Sequence, residues 1–116
     1  MEQLLSFAHE DIRYEDVPTG ATFVGYDGMR KMAASAHRMS SDLTYDVLQR
    51  VGTPTGYAFE AVCRGTNTGT IGPLPGTGRP FAYRTVSIGE VSDGLVVSQR
   101  DYWDVAGLLG QLKAPG

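Results

Sequence analysis

The sequence has one cysteine, Cys63, in 116 residues. No disulfide can form within the chain, so it must be held by packing alone. It also lacks a run of about 18 apolar residues, which excludes a transmembrane helix of ordinary length. The start, Met1-Glu2-Gln3-Leu4-Leu5, has neither the basic residues nor the apolar stretch of a secretory signal. A reducing cytoplasm is the expected setting. The ten Lys and Arg are scattered and the formal net charge is −3. With no basic stripe, neither nucleic acid nor a membrane surface is expected as a partner. No His, Cys or carboxylate group shows metal-ligand spacing, and no metal or cofactor is expected. No serine or cysteine stands in a recognisable nucleophile pattern. The Gly-rich stretch Gly65–Arg79 lacks the lysine and following helix of a phosphate loop.

What is present is a hydrophobic share of 41% and enough length for one domain with one core. Glu2–His9 has helical spacing, with Leu4, Leu5 and Ala8 on one side. Ile12–Val17 reads as a strand, Pro18-Thr19-Gly20 as a turn and Thr22–Val24 as a short strand. Asp27 is placed to cap the clearest helix, in which Met29, Met32, Ala33, Ala36 and Met39 repeat at helical spacing. That helix should stop near Ser40-Ser41-Asp42. Leu43–Val51, Tyr57–Thr66, Pro80–Val91 and Leu95–Tyr102 are rich in β-branched and aromatic residues and read as strands. Asp93-Gly94 is a hairpin signal between the last two. Gly65–Arg79 reads as a long, mobile loop. Asp104 can cap a final helix, Val105–Leu112. One long helix and several antiparallel strands predict an α+β architecture, with the sheet curling around the helix to enclose a cavity.

Alternation puts Ile12, Tyr14 and Asp16 on one strand face, Leu95, Val97, Gln99 and Asp101 on another, and Phe81, Tyr83 and Thr85 on a third. If these are the concave faces, they form an aromatic and aliphatic pocket for a small hydrophobic ligand. It would hold two carboxylates and two phenols. Neighbouring carboxylates titrate as a coupled pair, able to supply an acid and a base together. Trp103 and, from the helix, His37 are further candidates for contact with the ligand. Arg84 has the opposite parity to Tyr83, and Cys63 reads as a small buried hydrophobe. Val86, Ile88, Val96 and Trp103 would leave an apolar patch on the convex face, from which a homodimer is expected.

Several segments carry a family resemblance. Gly78-Arg79-Pro80-Phe81, Ile88-x-Glu90-x-x-Asp93-Gly94 and Arg100-Asp101-Tyr102-Trp103-Asp104 resemble the SnoaL-like polyketide cyclases of the nuclear transport factor two-like superfamily. Tyr14-Glu15-Asp16-Val17-Pro18, Gly25-Tyr26-Asp27-Gly28 and Gly65-Thr66-Asn67-Thr68-Gly69 fit the same pattern. The resemblance spans Leu4–Lys113 and implies a single cone-shaped α+β barrel domain, often dimeric. It implies Asp101 as a general acid/base in ring closure, isomerisation or dehydration of a hydrophobic carbonyl compound. Two alternatives are an Asp-activated water opening an epoxide, helped by Tyr14 and Asp16, and a non-catalytic binding pocket. Against the family pattern, a further helix ahead of Glu2 is expected to be missing, and Asn67 stands where cyclases often have His. It also lacks the Arg-x-Asp pair of limonene epoxide hydrolase in Phe59–Arg64.

Overall fold

The computed structural model describes residues 5–113. Six strands form one curved sheet: β1 (Ala8–Asp16), β2 (Ala21–Val24), β3 (Thr44–Thr53), β4 (Gly56–Thr66), β5 (Pro80–Ser92) and β6 (Leu95–Trp103). Helix α1 (Gly25–Met39) follows β2, and α2 (Val105–Lys113) follows β6. The spatial order is β2-β1-β6-β5-β4-β3. All neighbours are antiparallel except β1 and β6, which run parallel and bring the start of the chain beside its end.

Most strand boundaries follow from residue type. The β5–β6 turn is a two-residue loop in which Ser92 faces Leu95. Asp93 and Gly94 both have left-handed φ, 53° and 77°, as a type I′ hairpin turn requires. The sheet differs from expectation at its first strand, which begins at Ala8 rather than Ile12. Ala8 and His9 are therefore strand and not helix; Leu5 is helical, Ser6 and Phe7 form a turn, and Glu2–Leu4 lie outside the described residues. The pairing of Ala8 with Val96 on β6 anchors the start of this strand, and the register then shifts before Arg13. Tertiary pairing has overridden local preference.

Helix α1 packs on β1 and β2. Met29, Met32, Ala33, Ala36 and Met39 form its half-buried face, as the spacing predicts. Asp27 is not its cap. Val24 occupies the N-cap position with no side-chain cap bond, and Asp27 instead pairs with Arg30 at 2.9 Å. The helix ends at Ser40 as expected. There Ser40 Oγ donates to Asp42 Oδ1 at 2.7 Å, and the same oxygen accepts from the Thr66 amide at 2.8 Å. This ties the helix end to the end of β4. At α2 the expected cap is present: Gly107 N–H donates to Asp104 Oδ1 at 2.8 Å.

The most buried apolar cluster is Phe81, Leu108 and Leu112, with Met39, Leu43, Ile71, Tyr83 and Trp103 against it. The Gly- and Pro-rich loop after β4 is organised around Asn67, which is 0% exposed. Its Nδ2 donates to Met39 O (3.2 Å) and Gly69 O (2.9 Å). Its Oδ1 accepts from Thr77 N (2.8 Å) and Thr77 Oγ1 (3.0 Å). Both donors and both acceptor positions of the amide are thus in use. Among the described residues no helix is long and apolar enough to cross a membrane.

Candidate active site

The strand register assembles the site row by row on one face of the sheet. Asp16 on β1 pairs with Asp101 on β6, Asp101 with Ser87 on β5, and Ser87 with Phe59 on β4. The adjacent row runs Tyr14, Gln99, Gly89, Tyr57 across the same four strands. On the other side lie Trp103, Thr85 and Ala61, then Tyr83 and Cys63. Residues two apart on a strand share a face, so these rows form one continuous wall.

Asp101 is half-buried at the centre of this wall. Its Oδ1 accepts from Ser87 Oγ at 2.6 Å and from Gln99 Nε2 at 3.0 Å. Its Oδ2 accepts from the Tyr14 hydroxyl. Gln99 is itself held, because the Tyr57 hydroxyl donates to its Oε1. No ion pair includes Asp101 among the described residues; the arginines of the adjacent strands lie on the other face. Arg84 sits 3.9 Å from Glu60 and Arg64 2.5 Å from Asp46. The carboxylate is therefore held by neutral donors alone.

Tyr14 is buried, 6% exposed. Burial, then the charge of Asp101 and the hydrogen bond to it, push its pKa well above the ordinary phenol value. It stays protonated and remains a donor. Burial likewise raises Tyr57, Tyr83 and the Cys63 thiol.

The predicted residues divide into those the sheet brings together and those it does not. Asp101, Tyr14, Gln99 and Thr85 share the wall. Tyr83 and Trp103 share it too, with ring centroids 5.1 Å apart. Trp103 therefore faces the site and is no part of the convex apolar patch. Asp16 is on the wall beside Asp101, and each carboxylate has its own set of donors. Asp16 has its own donors, Trp103 Nε1 and Thr19 Oγ1, and Asp101 has three others. Phe81 belongs to the buried core with Leu108 and Leu112. Val97 sits where the β5–β6 register shifts, so strict alternation does not fix its face. His37 is exposed on α1, away from the network around Asp101.

The enclosed pocket expected around Asp101 is not among the cavities found. A groove of about 360 Å³ lies over β2, β1 and β6 and is lined mainly from the opposite face, by Arg13, Glu15, Thr22, Val24, Ser98 and Arg100. A smaller apolar cavity of about 120 Å³, lined by Ile71, Leu74, Leu109 and Leu112, lies at the loop end of the molecule. Asp101 lines neither. Ser87 and Tyr57 did not emerge from the sequence. Ser87 continues the alternation Phe81, Tyr83, Thr85 by one more step, so parity alone could have found it. Tyr57 could not be found that way, because its role depends on which residue faces it across β5.

Comparison with known proteins bears on the family and the fold. The family model for SnoaL-like polyketide cyclase matches residues 1–112. The chain belongs to the SnoaL-like polyketide cyclase family. Solved structures share the family fold. A proposed SnoaL-like polyketide cyclase from Jannaschia sp. CCS1 superposes with TM-score 0.89 at 16% identity, covering 99% of this chain and 79% of that one. TsrD from Streptomyces laurentii gives TM-score 0.84 at 26% identity, covering 98% and 83%. IdmH from Streptomyces antibioticus, a proposed polyketide cyclase, gives 0.81 at 24% identity, covering 97% and 86%. The nuclear transport factor two-like fold expected from the sequence is thus the fold observed. No curated protein matches the chain.

Proposed function

We propose that this member of the SnoaL-like cyclase family is a cofactor-independent acid/base enzyme acting on a hydrophobic carbonyl compound, with Asp101 as the proton-transfer group. One observation carries the reading. A half-buried carboxylate accepts three neutral hydrogen bonds on an apolar, aromatic wall, with no cation beside it. Oδ1 is occupied by Ser87 and Gln99, which uses both of its lone pairs. Oδ2 carries the bond from Tyr14. Its second lone pair is the one available to a proton.

The expected steps follow from this division. Oδ2 takes a proton from the carbon next to the substrate carbonyl, leaving an enolate. The new Oδ2–H then donates to the Tyr14 oxygen, which releases the Tyr14 hydrogen to stabilise the enolate oxygen. Returning the proton to a different carbon completes an isomerisation. Attack of the enolate carbon on a second carbonyl, with the proton delivered to the new alkoxide, closes a ring. Asp16 lies in the same row as Asp101, where Trp103 and Thr19 hold it as a polar wall residue. Thr85, Tyr83 and Trp103 would line the ligand. The epoxide-opening alternative has less support: Arg64 on β4 pairs with Asp46 on the opposite face, so no arginine reaches Asp101 from that strand. The buried single thiol suits a reducing cytoplasm, which is part of this proposal.

The test is exchange of the acidic C–H protons of 2-tetralone in D2O, followed by proton NMR. The wild-type protein should exceed the buffer rate. Asp101→Asn keeps the shape and should reduce that excess by about two to four orders of magnitude, the usual worth of a positioned base. Exchange indifferent to this substitution would remove Asp101 from the chemistry.

A further inference from the structure

We propose that Tyr57 is a positioning residue for Asp101 that acts through the Gln99 amide, and that Gly89 is the opening that lets it do so. The inference rests on the reading of Asp101 as the proton-transfer group. It arises from the register. Tyr57, Gly89 and Gln99 lie opposite one another on β4, β5 and β6. A tyrosine on β4 would ordinarily be separated from β6 by the side chain on β5. Here β5 has none. A Cβ built on Gly89 would lie 2.1 Å from Tyr57 Cζ and 2.4 Å from its hydroxyl oxygen. The phenol thus lies across β5 in the space where a side chain would stand. It reaches Gln99 two strands away and donates to Oε1.

That bond fixes which way the amide faces. An amide can present its oxygen or its NH2 to a neighbour. With Tyr57 donating to Oε1, the NH2 group is turned to Asp101 and donates to Oδ1 at 3.0 Å. The opposite orientation would set an amide oxygen against a carboxylate oxygen, which repel. Tyr57 stays a donor because burial, reinforced by the charge of Asp101, raises its pKa. The relay keeps Oδ1 an acceptor and directs proton traffic to Oδ2. Tyr57 need not touch the substrate to do this.

A double-mutant cycle on 2-tetralone exchange tests the route. Tyr57→Phe should lower kcat about three- to tenfold, the worth of one hydrogen bond, with KM within about twofold. Gly89→Ala should lower kcat at least as much, because the ring must leave its place. In a Gln99→Leu background, Tyr57→Phe should cost nothing further. An undiminished loss in that background would mean Tyr57 acts directly on the ligand and would overturn the proposal. A second readout needs no substrate. The Gln99 side-chain NH2 should be protected from solvent exchange in the wild-type protein by NMR and lose that protection in Tyr57→Phe. An amide indifferent to the substitution would also overturn it. Should the wild type fail to exchange 2-tetralone while the amide responds, the positioning role stands and the proposed chemistry falls.

Discussion

Replacing Asn67 should destabilise the protein far more than a loop residue ordinarily does. Its side chain makes four hydrogen bonds, at 2.8 to 3.2 Å, and is fully buried. Asn67→Ala removes all four and leaves Met39 O, Gly69 O and two Thr77 donors without that partner. A net contribution near 1 kcal/mol per bond gives an upper figure of about 4 kcal/mol. Some of the freed groups lie near the surface and recover water, so about 2–4 kcal/mol is expected. For a domain of this size that corresponds to a Tm lower by roughly 8–16 °C. Asn67→Asp refines the test. The acid keeps its acceptor toward Thr77 but turns a carboxylate oxygen toward the Met39 and Gly69 carbonyls. It should be worse than Ala at pH 7 and should regain stability as the pH is lowered enough to protonate the new carboxyl. Urea denaturation of both variants at pH 7 and pH 4.5, each against wild type, gives the comparison. A loss below about 0.5 kcal/mol for Asn67→Ala, the range of an ordinary surface substitution, would refute the hub.

Two further outcomes are expected. Tyr14, Tyr57 and Tyr83 all have raised pKa values in the folded state. The folded state holds these protons more tightly, so their stabilising effect is complete below about pH 10 and is lost as the pH rises above it. Tyrosinate absorbance should show three phenols resisting ionisation until the protein unfolds; all six ionising together near pH 10 in folded protein would contradict the buried wall. Homodimerisation through the convex face is also proposed. Val51, Ala58 and Ile88 form one row there, beside Val86 and Tyr102, and Ile88 is 36% exposed. Sedimentation at micromolar concentration should give a dimer that Ile88→Asp converts to monomer, and a monomeric wild type would count against it.

Where local chemistry decides conformation, the sequence was easy to read. Asp93-Gly94 admits two consecutive left-handed residues, and the β-branched runs on either side leave little choice but strand. The methionine and alanine spacing of α1 exposed its buried face in the same way. Reading failed where a distant partner decides. Ala8–Asp11 is mostly polar, and its start is fixed as strand by the pairing of Ala8 with Val96 on β6. Asp27 has the chemistry of a cap, yet the cap position is Val24 and the helix starts three residues earlier, at Gly25. Trp103 fits either face by residue type; its bond to Asp16 follows from the parallel pairing of β1 with β6. The site shows the same division. Asp101, Tyr14 and Gln99 were reachable by alternation and family pattern. The Tyr57 relay depends on a missing side chain at Gly89, and an absence has no local signature.

The parallel pairing of β1 with β6 also sets the order in which the site can come into being. Ser87 and Gln99 reach Asp101 from within one hairpin, over sequence separations of 14 and 2 residues. Tyr14 reaches it over 87. Short-range contacts close early in folding and long-range ones late. Half of the carboxylate's environment can therefore form with the β5–β6 hairpin, and the other half must wait until the two ends of the chain meet. A partly folded molecule would carry Asp101 with Oδ1 held and Oδ2 bare. Proton-transfer competence would then appear only with the last step of assembly, which makes the Tyr14–Asp101 contact a natural reporter of complete folding.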